Sequence, residues 1–238
     1  MGRKTGTSYK TVLVKIYQAL FSHFGPQHWW PGDTPFEIAV GAILTQNTNW
    51  GNVEKAINNL KDSASLDALV LHKMPHAKLA SLIKPAGYFN VKAKRLKHFL
   101  AFLSDHYKGA IENMNDQDLH QLRHQLLEVN GIGPETADSI LLYALDKPVF
   151  VIDAYTKRVL IRHKIVPESV TYHETQELFH KNLPVDAALY NEYHALFVMT
   201  GKHYCKSKPR CNECPLEKIL SWNLCRGEAA PRPGAAYG

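Results

Sequence analysis

Residues 129–140 read VNGIGPETADSI, and no other stretch restricts the fold as sharply. Upstream, DLHQLRHQLLEV repeats apolar residues at helical spacing through Leu122, Leu126 and Leu127. Downstream, PETADSILLYAL opens on Pro134, which suits the first position of a helix. Two helices must therefore meet across a turn at residues 129–133. Gly131 and Gly133 permit positive φ and let another group come close to the main chain. The N–H groups that open the second helix have no intrahelical partners, and the helix dipole adds to their charge, so the turn suits an anion. A phosphate there would be held without sequence being read. An ordinary corner between helices uses the same glycines, so the turn alone leaves both readings open.

The helical period continues elsewhere. It runs through TVLVKIYQALFSHF (11–24), DTPFEIAVGAILTQ (33–46, with Asp33 as N-cap), NVKAKRLKHFLAFLSDHY (90–107, with a basic face), DAYTKRVLIRH (153–163), and residues 173–182 and 186–200. Only KPVFVI (147–152) looks extended, so the expected fold is all-α. Glycine and proline near 25–32, 84–87 and 129–134 mark turns. The tail RGEAAPRPGAAYG (226–238) has too little apolar surface to order itself and is expected to be disordered.

The chain's 238 residues can bury a core without covalent staples. Its 28 Lys and Arg against 22 Asp and Glu give a net charge of +6, a modest lean toward polyanionic partners. No apolar run reaches membrane length, MGRKTGTSYK has no signal-peptide core, and Gly6 breaks a myristoylation pattern. A cytoplasmic monomer with no membrane partner is expected. All four cysteines, Cys205, Cys211, Cys214 and Cys225, fall in one short C-terminal stretch. Scattered disulfide partners would not cluster this way, so a metal centre is the leading reading.

FVIDAYTKR places Asp153 between an extended run and a helix, where Asp is an ordinary N-cap. The same position keeps a carboxylate ionised, so it can also orient a water or stabilise a cationic sugar. The hairpin VNGIGPETA, then VIDAYTKRV, then the clustered cysteines together resemble the helix-hairpin-helix DNA glycosylases of the endonuclease III type, over roughly residues 10–225.

The resemblance implies two all-α lobes flanking a DNA-binding cleft. One lobe comprises residues 1–32 with 147–225, including a C-terminal iron–sulfur loop, and the other residues 33–146. It implies a phosphate-binding turn at Gly131 and Gly133, a catalytic Asp153, and double-stranded DNA with a damaged base as partner, the base being flipped out for excision in base excision repair. Bifunctional members carry a hairpin lysine that forms a Schiff base with the sugar, whereas this chain reads GIGPETA with Glu135 at that position. A monofunctional enzyme that uses water is therefore implied, without efficient strand nicking.

HWWPGD (28–33), LTQNTNW (44–50) and KPAGYFNVKAKRL (84–96) look most like the bacterial 3-methyladenine DNA glycosylases of this superfamily. That likeness places Trp29, Trp30, Pro31, Trp50 and Lys208 in the base pocket, with Gln46 entering the vacated gap and Tyr88 as wedge. A 3-methylated adenine nucleoside is cationic, stacks on indoles through cation–π attraction and leaves as a neutral base. Each residue also has an ordinary alternative: core packing for the tryptophans, a helix cap for Gln46, a half-buried turn for Tyr88. Lys92, Lys94, Arg95 and Lys97 read as a solvated face within reach of phosphate.

The cysteine spacing C-x5-C-x2-C-x10-C departs from the family's usual loop at both outer intervals, yet four thiolates in one loop suit a 4Fe–4S cluster, with zinc as the alternative. Such a cluster is expected to be structural. Competing functions are excision of oxidised, deaminated or mismatched bases, with or without lyase activity, and a non-catalytic DNA-structure binder or redox sensor.

Overall fold

The computed structural model describes residues 8–64 and 66–219, and among them are helices and turns but no strand. Contacts divide the chain into two compact units, one joining residues up to Trp29 with those from Pro148 onward, the other running from Trp30 to Lys147. The tail at 226–238 lies outside the described residues.

In the first unit, α1 (Tyr9–Phe24) starts at Ser8, whose hydroxyl accepts the Thr11 amide. It stops at Gly25, in the left-handed region at φ 70. Leu13, Ile16 and Leu20 form its buried stripe.

The second unit opens with α2 (Pro35–Leu44), a helix buried on almost every side. Its N-cap is Thr34 rather than the expected Asp33: the Thr34 hydroxyl accepts the Glu37 amide at 3.1 Å, while the Asp33 carboxylate pairs with Lys61 at 2.7 Å. The helices α3 (Trp50–Ala64), α4 (Ala68–Lys73) and α5 (His76–Leu82) follow, a region in which the sequence reading singled out no helix. Then come α6 (Phe89–Tyr107), α7 (Leu119–Glu128) and α8 (Pro134–Ser139). The helix expected to run on from Pro134 instead widens into a π-helical turn at Ile140–Ala144, every residue of which is buried.

The basic face expected on α6 is largely absent. Lys92 is 1% exposed, and its ammonium donates to the carbonyls of Leu44 at 2.8 Å and Ala86 at 2.7 Å. Lys97 donates to the carbonyls of Leu71 and His72, at the end of α4. Arg95 turns to Gln46, and of the four cations only Lys94 is exposed. Helix ends present carbonyls without intrahelical partners, and these cations satisfy them, so the charges serve the fold before any ligand.

The chain returns to the first unit through residues 148–153, which belong to neither helix nor strand. Val149, Phe150, Val151 and Ile152 are buried, so their main-chain groups need partners. Side chains supply them: the Phe150 amide donates to His180 Nε2 at 2.9 Å, the Phe150 carbonyl accepts from Gln176 at 2.8 Å, and the Ile152 amide donates to the Tyr172 hydroxyl. The partners lie on α10 (Tyr172–Asn182), after α9 (Ala154–Arg162). Phe150 also stacks on Phe179 at 3.8 Å between ring centroids. The last helix, α11 (Ala187–His203), buries Tyr190, Tyr193, Leu196 and Phe197, and the Tyr193 hydroxyl donates to the Leu13 carbonyl of α1.

Candidate functional site

The hairpin lies wholly within the second unit. Asp118 caps α7, accepting the amides of His120 and Gln121, and a bidentate pair locks the two hairpin helices together. Arg123 Nε and Nη2 donate to the two oxygens of Asp138, at 2.6 and 3.1 Å, and the Asp138 side chain is fully buried. The turn closes through the Ile132 amide on the Val129 carbonyl at 3.0 Å. Only one of its glycines uses positive φ: Gly131 sits at φ 94, whereas Gly133 is at φ −93 and caps α8 in extended geometry. Gly133 serves by openness instead, since a Cβ there would meet nothing within 4 Å. Glu135 is exposed in the first turn of α8.

Gln46 does not cap a helix. Its Nε2 donates to the Gly131 carbonyl at 3.1 Å and to the Thr136 hydroxyl at 2.9 Å, while its Oε1 accepts from Arg95. Tyr88 is 73% exposed and sits in the left-handed region, at φ 44 and ψ 34, as the residue before α6. A β-substituted aromatic in that conformation is strained.

Aromatic groups gather in the same unit around Gly41. Trp30 meets Trp50 edge-on at 5.4 Å and Tyr143 at 5.1 Å. A Cβ on Gly41 would sit 3.3 Å from Trp30 Nε1 and 3.4 Å from the Trp50 ring, so the glycine is what admits both indoles. Pro31 is exposed beside them in sequence. Tyr143, contributed by the π-helical turn, went unnoticed in the sequence because it reads as one more apolar residue of a helix.

In the first unit, Asp153 caps α9, its Oδ1 accepting the Thr156 amide at 2.7 Å. The same oxygen lies 3.7 Å from Nε2 of the buried His194 on α11. Burial pushes the carboxyl up, but the charge and hydrogen bonding of His194 and the Thr156 amide outweigh it and hold Asp153 below the usual carboxylate range. It is therefore ionised at neutral pH. The α9–α11 approach rests on Gly201, where a Cβ would meet the Tyr155 ring at 2.2 Å, and on Arg158, which donates to the Cys205 and Gly201 carbonyls.

Trp29 belongs to this unit, and the Lys202 ammonium lies 5.4 Å from the centroid of its ring. Desolvation lowers Lys202 from the ordinary lysine range, while the charge of Asp153 works in the opposite direction. Neither His194 nor Lys202 was legible in the sequence. The available signal was Gly201 inside a helical run, which marks a close approach. Lys208, the lysine that was singled out, is exposed on the cysteine loop.

That loop follows α11. Cys205 is buried, and Cys211 and Cys214 are partly so. Arg162 donates to Cys205 Sγ at 3.2 Å and to the carbonyls of Lys206 and Ser207. Burial pushes the Cys214 thiol up to about 11, and charge on Cys205 and Cys211 acts in the same direction, so a thiolate at Cys214 meets repulsion. A thiophilic cation would relieve that repulsion, and the donor chemistry fits a 4Fe–4S cluster or zinc. Among the described residues, however, no group of three His, Cys, Asp or Glu is arranged to hold a metal ion, and Cys225 lies outside them. No helix among the described residues is long and apolar enough to cross a membrane.

An all-helical chain with a clamped two-glycine hairpin, followed by an ionised helix-capping aspartate, defines a DNA-repair protein of the helix-hairpin-helix class. The family model described as HhH-GPD superfamily base excision DNA repair protein matches residues 40–185, and the chain belongs to that superfamily. It is 49% identical over 210 residues to a Methanocaldococcus jannaschii protein provisionally named a DNA repair glycosylase, covering 87% of this chain and 95% of that protein. It is 28% identical to endonuclease III of Thermotoga maritima, over 83% and 88% of the two chains. Among solved structures, H. pylori 3-methyladenine DNA glycosylase bound to 1,N6-ethenoadenine aligns with a TM-score of 0.70 at 28% identity, covering 82% of this chain and 98% of that one.

Proposed function

We propose that this DNA glycosylase of base excision repair is monofunctional and releases an alkylated purine, 3-methyladenine-like, from duplex DNA, acting as a monomer. The observation that carries the substrate class is the aromatic group Trp30, Trp50 and Tyr143 around Gly41, a cluster of π systems of the kind on which a base can stack. A cationic purine gains from such faces what a normal base does not. Trp29 supports a different role, because the Lys202 ammonium already lies over its ring and would repel a cationic base. In this reading Lys202, rather than Lys208, is the lysine that meets a flipped nucleotide.

Asp153 is the catalytic group. As the N-glycosidic bond breaks, its electrons leave with the base and the sugar becomes cationic. An ionised carboxylate stabilises that cation and orients the water that adds to it. Because Asp153 is held below the usual carboxylate range, it is a weak base, and electrostatic stabilisation is the larger part of its work. Glu135 supports the absence of a lyase step, since a carboxylate forms no imine. Gly131 and Gly133 hold backbone phosphate, with Tyr88 as the wedge. Cys205, Cys211, Cys214 and Cys225 would hold a 4Fe–4S cluster, which would supply a rigid cross-link for the cysteine loop rather than a reacting group.

The experiment is mass-spectrometric identification of bases released from methylated duplex DNA, with oxidised and mismatched duplexes in parallel. Release of 3-methyladenine at the fastest rate supports the reading. Preferential release of an oxidised pyrimidine would move the enzyme to the endonuclease III-like alternative.

A further inference from the structure

We propose that Arg95 is a positioning residue for DNA binding, fixing the Gln46 loop and the hairpin turn in one preformed arrangement rather than meeting a phosphate itself. The inference rests on the reading of the hairpin as a DNA contact. Five contacts support it. Arg95 Nη1 donates to Gln46 Oε1, which fixes the orientation of that amide. Gln46 Nε2 is thereby directed to the Gly131 carbonyl, at 3.1 Å, and to the Thr136 hydroxyl, at 2.9 Å, one partner in the turn and the other in the first turn of α8. The aliphatic stem of Arg95 lies where Gly131 lacks a side chain: a Cβ there would meet Arg95 Cγ at 2.2 Å and Cδ at 2.9 Å. One helical turn further along α6, His98 Nδ1 bonds the Asn130 carbonyl at 3.0 Å.

One face of α6 thus grips both sides of the turn, and Lys92 extends the grip. Its ammonium joins Leu44, two residues before Gln46, to Ala86, two residues before Tyr88. The three segments read as DNA contacts are held to a single helix by groups that a solvent-facing cation would not use. Gly131 needs to be glycine twice over, for its φ of 94 and for the stem of Arg95. A guanidinium that gives Nη1 to Gln46 while its stem packs on Gly131 contributes to affinity through geometry.

Salt dependence separates the roles. Fluorescence anisotropy measures binding of the full chain to a duplex carrying a tetrahydrofuran abasic-site analogue, across a range of potassium chloride. Variants are Arg95→Ala, Arg95→Lys and Gln46→Leu, each below its measured melting temperature. Positioning predicts that all three weaken binding by about tenfold or more while the slope of log K against log salt stays at the wild-type value. Arg95→Lys keeps the charge and loses the planar fork, so it should fail to rescue. A direct phosphate contact would instead lower the slope by about 0.9 in Arg95→Ala, leave Arg95→Lys near wild type and spare Gln46→Leu, and this result overturns the proposal. A merely structural role, also contrary to it, would lower melting temperatures and leave affinity unchanged. Should Arg95→Ala not fold, the other two variants still decide. A wild-type protein that binds the duplex but releases no base would refute the glycosylase reading and leave this comparison intact.

Discussion

Asp153 Oδ1 and His194 Nε2 lie 3.7 Å apart, one at the first residue before α9 and the other buried in the middle of α11. The carboxylate that caps a helix is thus also half of an ion pair whenever His194 is protonated. Two functions share one oxygen, since the Thr156 amide binds the same atom. Substitution can separate them.

Asp153→Asn keeps an oxygen to accept the Thr156 amide and removes the charge. Base release should fall by at least roughly 10²-fold, with affinity for damaged duplex unchanged or improved and little change in melting temperature. Single-turnover release beside anisotropy measures this. Equal loss of release and binding would reduce Asp153 to a cap.

The pH dependence follows from the direction of the same shift. A folded-state pKa below the unfolded value contributes stability that is present above roughly pH 4 and lost as pH falls through the depressed folded value. Between pH 5 and 8 Asp153 should therefore add no acid limb to the rate profile. Single-turnover rates across that range, compared with urea unfolding between pH 2 and 5, test both halves.

Borohydride should trap little or no covalent complex between the wild-type protein and a lesion-bearing duplex, and the product strand should remain intact until heated in alkali. Lys202 is the amine to examine if trapping occurs, because it feels the charge of Asp153. Trapping abolished by Lys202→Met would replace the hydrolytic mechanism with a lyase.

Purified anaerobically, the protein should be brown with broad visible absorption, and Cys211→Ser should bleach it. A colourless protein holding one equivalent of zinc would favour the other metal.

Breaking the hairpin clamp should be costly. Arg123→Ala removes both bonds from the guanidinium to the fully buried Asp138 carboxylate and should lower unfolding free energy by about 3 kcal/mol, measured by urea denaturation.

The hairpin and the Asp153 junction were legible in the sequence because both are written locally. Glycines, a proline and a capping residue act on their own neighbours, and the helical period fixed the all-α class. The inward cations of α6 were illegible for the opposite reason. Lys92 becomes a buried residue only because the Leu44 carbonyl, far away in the chain, is there to receive it, and spacing along a helix carries no trace of that. His194 and Lys202 are similar: each is unremarkable within α11, and their meaning comes from Asp153 and Trp29 on other segments. Asp33 lost its place as N-cap to Thr34 because Lys61 competed for its carboxylate.

The π-helical turn at Ile140–Ala144 has a consequence for how this aromatic surface can change. A π turn holds one residue more than the α turn it replaces, so deleting a single residue there would restore ordinary helical geometry. Because the extra residue is taken up within the turn, the helix on either side would keep its facing, and the turn's own residues, Tyr143 against Trp30 among them, would be reset while the Arg123–Asp138 clamp stayed as it is. Lineages that gain or lose one residue at this point can therefore exchange one aromatic wall for another in a single step, without disturbing the hairpin.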